Sequence, residues 1–163
     1  MPDKTHYYRT NLRWTGNTGQ GTQTYRGYSR DHDITADAKP TILASSDPAF
    51  RGDSSRWNPE LLLLASVSAC HQLWYLHLCA EASVIVLAYE DDAEGVMAEE
   101  PSGAGQFTEI LLRPRVTIAP GSDPETARAL HHKAHAHCFI ARSLKTPIRH
   151  EPAIMVAPAS IPS

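Results

Sequence analysis

Apolar and polar positions sort this chain into strand-like stretches, a long apolar helix, further strands and a second helix. His6–Trp14 and Gln23–Thr35 carry Tyr, Thr and Trp, which suit strands. The turn-rich run Gly16-Asn17-Thr18-Gly19-Gln20-Gly21 between them predicts a hairpin connection. Pro40–Ala44 predicts a third short strand, and 45–57 a polar loop. A helix then opens with Asn58 as N-cap, Pro59 at the first helical position and Glu60 at the positive helix start, and it runs to Ala82. The β-branched run Val84–Tyr89 predicts a strand, Asp91–Gly95 a turn, and a further strand begins at Val96. Phe107–Ile118 reads as one long strand in which Pro114 marks an edge or a bulge. A second helix opens on Asp123 and Pro124 and runs to Leu144, with Pro147 as its stop. Ile148–Val156 predicts a last strand, and 158–163 a loose tail. Strands and helices in this order predict an α+β fold, not the regular alternation of a doubly wound sheet, in a single domain over 1–163.

Leu61–Ala80 is twenty residues without Asp, Glu, Lys or Arg, long enough to cross a bilayer. Ser66, Ser68, His71, Gln72 and His77 interrupt it, and no basic cluster anchors either end. The expectation is therefore a helix buried on most sides within a soluble protein, with no membrane partner. The formal net charge is −3, from 15 Lys+Arg against 18 Asp+Glu. That balance lacks the basic excess of a nucleic-acid binder, so no nucleic-acid partner is expected. Three cysteines, an odd number, do not make a secreted disulfide scaffold, and the opening MPDKTHYYRT has no apolar signal core. Together these predict a cytoplasmic protein with reduced thiols.

Cys70 stands twelve residues past Asn58 and Cys138 fifteen past Asp123. Both are expected in mid-helix, beyond the reach of the helix dipole. A reactive thiol there needs another stabiliser, and an Arg, always cationic and rich in donors, is the natural one. Cys79 points opposite to Cys70 at 100° per residue and lies among Ala and Leu as a small buried hydrophobe. On the second helix His131, His135, Cys138 and Arg142 share one face. The spacing of His131, His135 and Cys138 allows a three-ligand zinc site.

Asn58-Pro59-Glu60-Leu61-Leu62 followed by Ser68-Ala69-Cys70 resembles the first cysteine helix of the OsmC/Ohr family of osmotically inducible and organic-hydroperoxide-resistance proteins. Ala134-His135-x-x-Cys138-Phe139-Ile140-Ala141-x-Ser143 is similar to its second cysteine helix, and the likeness covers nearly the whole chain. The resemblance implies an α+β fold with two central helices packed against curved antiparallel sheets in an intertwined homodimer. It also implies a thiol peroxidase with neither metal nor haem. Its peroxidatic cysteine would be Cys70, its resolving cysteine Cys138 and its helix-start carboxylate Glu60. The family arginine would be Arg30, thirty residues before Glu60, with Arg26 as the close rival and Arg51 and Arg56 behind. His71 stands where the family often has Phe, with bulky Gln72 and Trp74 after it.

The expected reaction is reduction of an organic hydroperoxide to a Cys70 sulfenic acid, its resolution by Cys138 as a disulfide, and reduction by an external dithiol. Two other readings compete: a non-catalytic OsmC-like module that binds a small apolar ligand, and a His/Cys metal-binding protein.

Overall fold

The computed structural model describes residues 3–160. Of the expected tail 158–163, residues 161–163 lie outside the described residues, and 158–160 carry no regular structure. The chain divides after Leu62 into two compact units. The arrangement is α+β, as the pattern of positions predicts.

The first unit holds one antiparallel sheet of β1 (Asn11–Trp14), β2 (His32–Thr35) and β3 (Ile42–Ala44), in that order. Trp14 pairs with His32, and Asp33 with Leu43. β1 and β2 pair antiparallel as a hairpin, but a long loop over 15–31 joins them. The Thr15 N–H donates to the Asp31 carbonyl at 2.9 Å and the Ser29 N–H to the Gly16 carbonyl at 3.0 Å, and side-chain bonds hold the rest. Asn17 Oδ1 accepts from the backbone N–H of Gly19 and Gly21, and the Trp14 indole N–H donates to the Ser29 carbonyl at 2.8 Å. At Gly16 the two sides of the loop approach so closely that a Cβ would lie 1.9 Å from the Ser29 carbonyl oxygen. A short 3-10 turn (Pro48–Phe50) leads on to the first helix.

Helix α1 (Pro59–Glu81) starts as the sequence predicts: Asn58 Oδ1 accepts from the Leu61 N–H at 2.9 Å. It ends on Ser83, which takes the left-handed cap with φ 59°, and the Val84 N–H closes onto the Cys79 carbonyl. Val67, His71, Tyr75, Leu78 and Cys79 form its buried stripe. The expectation of burial on most sides fails for the single chain. Only 22% of its most apolar 18-residue window is buried, and Leu61 and Leu73 stand in the open. Its apolar residues are spread round the helix instead of gathered in one stripe, and its own chain covers one face.

In the second unit β4 (Val86–Asp91), β5 (Glu94–Glu99), β6 (Gly105–Leu112), β7 (Pro114–Ile118), β8 (Ile148–His150) and β9 (Ala153–Val156) form two three-stranded sheets, β4-β7-β9 and β5-β6-β8. The predicted strand over Phe107–Ile118 is therefore two strands, broken at Arg113. The predicted strand over Ile148–Val156 breaks in the same way at Glu151 and Pro152. Asp91 fixes the first break: its Oδ1 accepts the Arg113 N–H at 2.7 Å, and its Oδ2 accepts the Ser68 hydroxyl at 2.5 Å. Sheet pairing is mixed. β4-β7 and β5-β6 are antiparallel, whereas β6-β8 and β7-β9 are parallel.

Helix α2 (Pro124–His137) opens on Asp123, whose carboxylate accepts from the Glu125 and Thr126 N–H groups. It ends seven residues before the predicted Leu144, and a one-turn helix α3 (Phe139–Arg142) follows. The core explains the break. Leu130 and Ala134 pack with Tyr75, Leu78, Val116 and Ile118, whereas Ile140 and Leu144 pack with Val67, Ile110 and Leu112. One straight helix cannot serve both clusters.

Candidate active site

Cys138 is not in mid-helix, contrary to expectation. It caps the C-terminus of α2 and the N-terminus of α3, with φ −63° and ψ 112°. Its Sγ accepts from the Ala141 N–H at 3.4 Å, the position a Ser or Asp side chain takes at an ordinary N-cap. The residue is buried, and its thiol pKa is pushed up to about 11. Burial is the first cause, the Ala141 and Ile140 N–H groups oppose it, and the neighbouring Cys70 thiol adds to the rise. The two cysteines, on different helices, thus lie side by side, and both are free thiols. Cys70 is the more exposed of the two.

Trp74, one helical turn beyond Cys70, fits the same picture. Its ring meets Phe139 edge-on at 5.5 Å and His137 at 5.2 Å. Phe139, next to Cys138, and Leu73 are each 66% exposed, which gives the thiol pair an apolar rim. Cys79 lies where the helical angle puts it. It is buried against Tyr75, and burial raises its pKa above the ordinary thiol value.

Sequence reasoning missed a buried histidine pair. His71 Nε2 and His131 Nδ1 are 3.0 Å apart, with rings stacked 7° from parallel. His150 and Tyr75 complete the group: His150 lies 5.6 Å from His71, and the Tyr75 ring stacks on His131 at 3.8 Å. Burial first, then neighbouring positive groups, lower the pKa of His71 to about 4 and of His131 to about 3. Both imidazoles are neutral at physiological pH. The signals are present in the sequence, as His71 where the family often has Phe and as four His over 131–137, but His71 reads there as a substrate feature, and His131 and His135, with Cys138, as candidate metal ligands. The structure corrects that reading: α2 stops short of Cys138, and among the described residues no three His, Cys, Asp or Glu side chains are grouped to hold a metal ion.

Arg30 and Glu60 lie in the first unit. The Arg30 guanidinium donates to the Tyr28 and Tyr25 carbonyls, at 2.6 Å each, and rests 3.9 Å from the Tyr28 ring and 4.6 Å from the Tyr25 ring. Glu60 keeps one carboxylate oxygen buried without a hydrogen-bond partner. No ion pair joins Arg30 to Glu60 among the described residues. Arg56 lies near Asp31 at 3.5 Å and Asp33 at 3.8 Å, and its Nη1 is also buried without a hydrogen bond. Arg51 caps the 3-10 turn, 6.0 Å from the Tyr25 ring.

The family model for OsmC-like proteins matches residues 52–152. An OsmC-like protein of unknown function from Vibrio cholerae superposes with a TM-score of 0.83 at 29% identity, over 91% of this chain and all of its own. An organic hydroperoxide resistance protein OsmC from Legionella pneumophila matches with a TM-score of 0.64 at 18% identity, over 93% of this chain and 100% of its own. One from Elizabethkingia anophelis gives 0.64 at 18% identity, over 94% and 100%. These last two show likeness of fold. No curated protein matches the chain.

Proposed function

This chain belongs to the OsmC-like family, and from that premise we propose that it is a thiol peroxidase that reduces organic hydroperoxides through Cys70. One observation carries the reading: two free thiols, 68 residues apart in sequence and on different helices, lie side by side, one partly exposed and one buried. A structural pair of buried thiols would need no exposed member. Fold relatives described as organic hydroperoxide resistance proteins support the same chemistry.

The Cys70 thiolate attacks the outer oxygen of ROOH. The S–O bond forms, the O–O bond breaks, and the alkoxide takes a proton to leave as ROH. Cys138 then attacks the Cys70 sulfenic acid. The S–S bond forms, and its thiol proton departs with the hydroxyl as water. An external dithiol reduces the disulfide and is itself oxidised. Burial keeps Cys138 protonated until that step, so its S–H can donate to the Cys70 sulfur. Trp74, Phe139 and Leu73 favour an apolar R group over hydrogen peroxide.

Arg30 and Glu60 enter the proposal through assembly. A second copy of the chain covers the open faces of α1, and in that homodimer Arg30 holds the thiolate and polarises the peroxide while Glu60 orients Arg30. The unpartnered Glu60 oxygen and the exposed Leu61 and Leu73 support such a cover. The proposed setting is the cytoplasm, where a dithiol reductant is at hand. The test is stopped-flow mixing with one equivalent of an organic hydroperoxide. Loss of two thiols per chain, with a Cys70–Cys138 disulfide by peptide mass, is expected. Unchanged thiols would overturn the enzyme and leave the non-catalytic binding module.

A further inference from the structure

Two polar rungs between the helices run antiparallel. Tyr75 Oη donates to the Ala127 carbonyl at 3.0 Å, and His71 lies 3.0 Å from His131. A step of four residues up α1 is thus matched by a step of four down α2. At the end of α2 the spacing changes: Cys70 lies beside Cys138 and Trp74 against His137, seven and six residues beyond His131. A slip of one turn would move either thiol about 5.4 Å along its axis, out of bonding range of the other.

We propose that the hydrogen-bonded His71–His131 pair sets this register and holds Cys70 opposite Cys138, which makes both histidines positioning residues for disulfide formation. Its use rests on the peroxidase reading, but the alignment itself does not. Apolar burial alone does not single out one register, because the hydrophobic effect is non-directional. A buried hydrogen bond does not slide, because separating its partners leaves polar atoms unpaired. The pair is already short of partners: His131 is fully buried, and its Nε2 has none. An orphaned N–H is rarer in protein interiors than an orphaned acceptor. That preference puts the His131 proton on Nδ1, donated to His71 Nε2, and leaves a bare lone pair on His131 Nε2.

The neutral pair is also what acid would attack. His150 from β8, and His135 and Arg128 from α2, all bear positively on it. Tyr75 from α1 stacks on His131 and offers no negative charge. Protonation would add cations 3.0 Å apart to that group and force α1 and α2 to part.

The experiment measures the thiol–disulfide equilibrium of Cys70 and Cys138 against glutathione at pH 7, which needs no peroxide and so stands apart from the enzymatic proposal. His71→Phe, which keeps the ring and loses the bond, is expected to lower the effective thiol concentration about tenfold or more. His71→Gln, which keeps a donor and acceptor near the Nε2 position, is expected to stay within about threefold of the parent. A pH series supplies the readout that packing alone would not move. Reaction of Cys138 with 4,4'-dithiodipyridine is expected to rise steeply below about pH 4 in the parent. A His71→Phe/His131→Phe chain should show no such step there. Parental values in His71→Phe, or the same acid step in the double variant, would overturn the proposal. Should His71→Phe fail to fold by circular dichroism, His71→Gln decides: a tenfold loss there refutes the role.

Discussion

The state of Cys138 is the most quantitative consequence of the structure. Its pKa is pushed up from an ordinary 9.0 to about 11. At pH 7.5 its thiolate fraction is therefore lower than that of an ordinary thiol by a factor on the order of 100. A more basic thiolate is also a better nucleophile, and a Brønsted slope of about 0.4–0.5 returns roughly a factor of ten. The net expectation is alkylation by iodoacetamide on the order of 10-fold slower than in the unfolded chain, before any steric shielding. The assay is timed alkylation, digestion and peptide mass, with guanidinium-unfolded protein as the reference. Between pH 7.5 and 10 the Cys138 rate should climb nearly tenfold per unit without levelling. A plateau by pH 9, or parity with the unfolded reference at pH 7.5, would refute the argument that burial beside a second thiol outweighs the Ala141 and Ile140 donors.

Cys70→Ser should abolish peroxide consumption and Cys79→Ser should leave it nearly intact, as followed by residual hydroperoxide; equal losses would assign the wrong nucleophile. Cys138→Ser should permit the first oxidation and then let Cys70 over-oxidise, seen by intact mass as about two or three added oxygens under excess peroxide. Asp91→Ala removes the acceptor of both the Ser68 hydroxyl and the Arg113 N–H, and should cost about 2–3 kcal/mol. Calorimetry would read that as a drop of about 5–10 °C in Tm, and an unchanged Tm would remove Asp91 as the anchor of the strand break. Stability should also fall as pH drops from about 6.5 towards 4. Over that window the unfolded chain protonates His71 and His131 while the folded one holds them neutral, a slope of about 1.4 kcal/mol per pH unit for each. Urea midpoints independent of pH in that range would contradict the assigned burial.

Helix starts were legible because they are local. Asn58-Pro59-Glu60 and Asp123-Pro124-Glu125 carry their own caps, and both caps form as read. Helix and strand ends set by packing were not legible. Nothing between Asp123 and Leu144 breaks a helical pattern, yet α2 stops at His137 because its two ends serve different apolar clusters. The strand over Phe107–Ile118 has one local warning, Pro114, but the partner that fixes the break is Asp91, about twenty residues earlier. Open faces of α1 were misread for a similar reason. A helix with apolar residues spread round it says that it needs cover, not that its own chain supplies it.

Chemistry in this chain collects where the packing changes hands. Val67 and Leu64 of α1 pack with β5, β6 and β8, whereas Tyr75, Leu78 and Cys79 pack with β4, β7 and β9. Between these stretches α1 passes a seam, and Ser68, Cys70 and His71 lie on it. All three strand pairs break at the same level, at Asp92-Ala93, Arg113 and Glu151-Pro152, and α2 breaks at Cys138. Polar groups are cheapest to place at such a seam, because the breaks free backbone donors to meet them. Arg113 N–H meets Asp91, and Ala141 N–H meets the Cys138 thiol. A helical wheel could group His131 with His135 on one helix. It could not pair His71 with His131, or Cys70 with Cys138, because each pair joins positions about sixty or more residues apart that only the folded chain brings together.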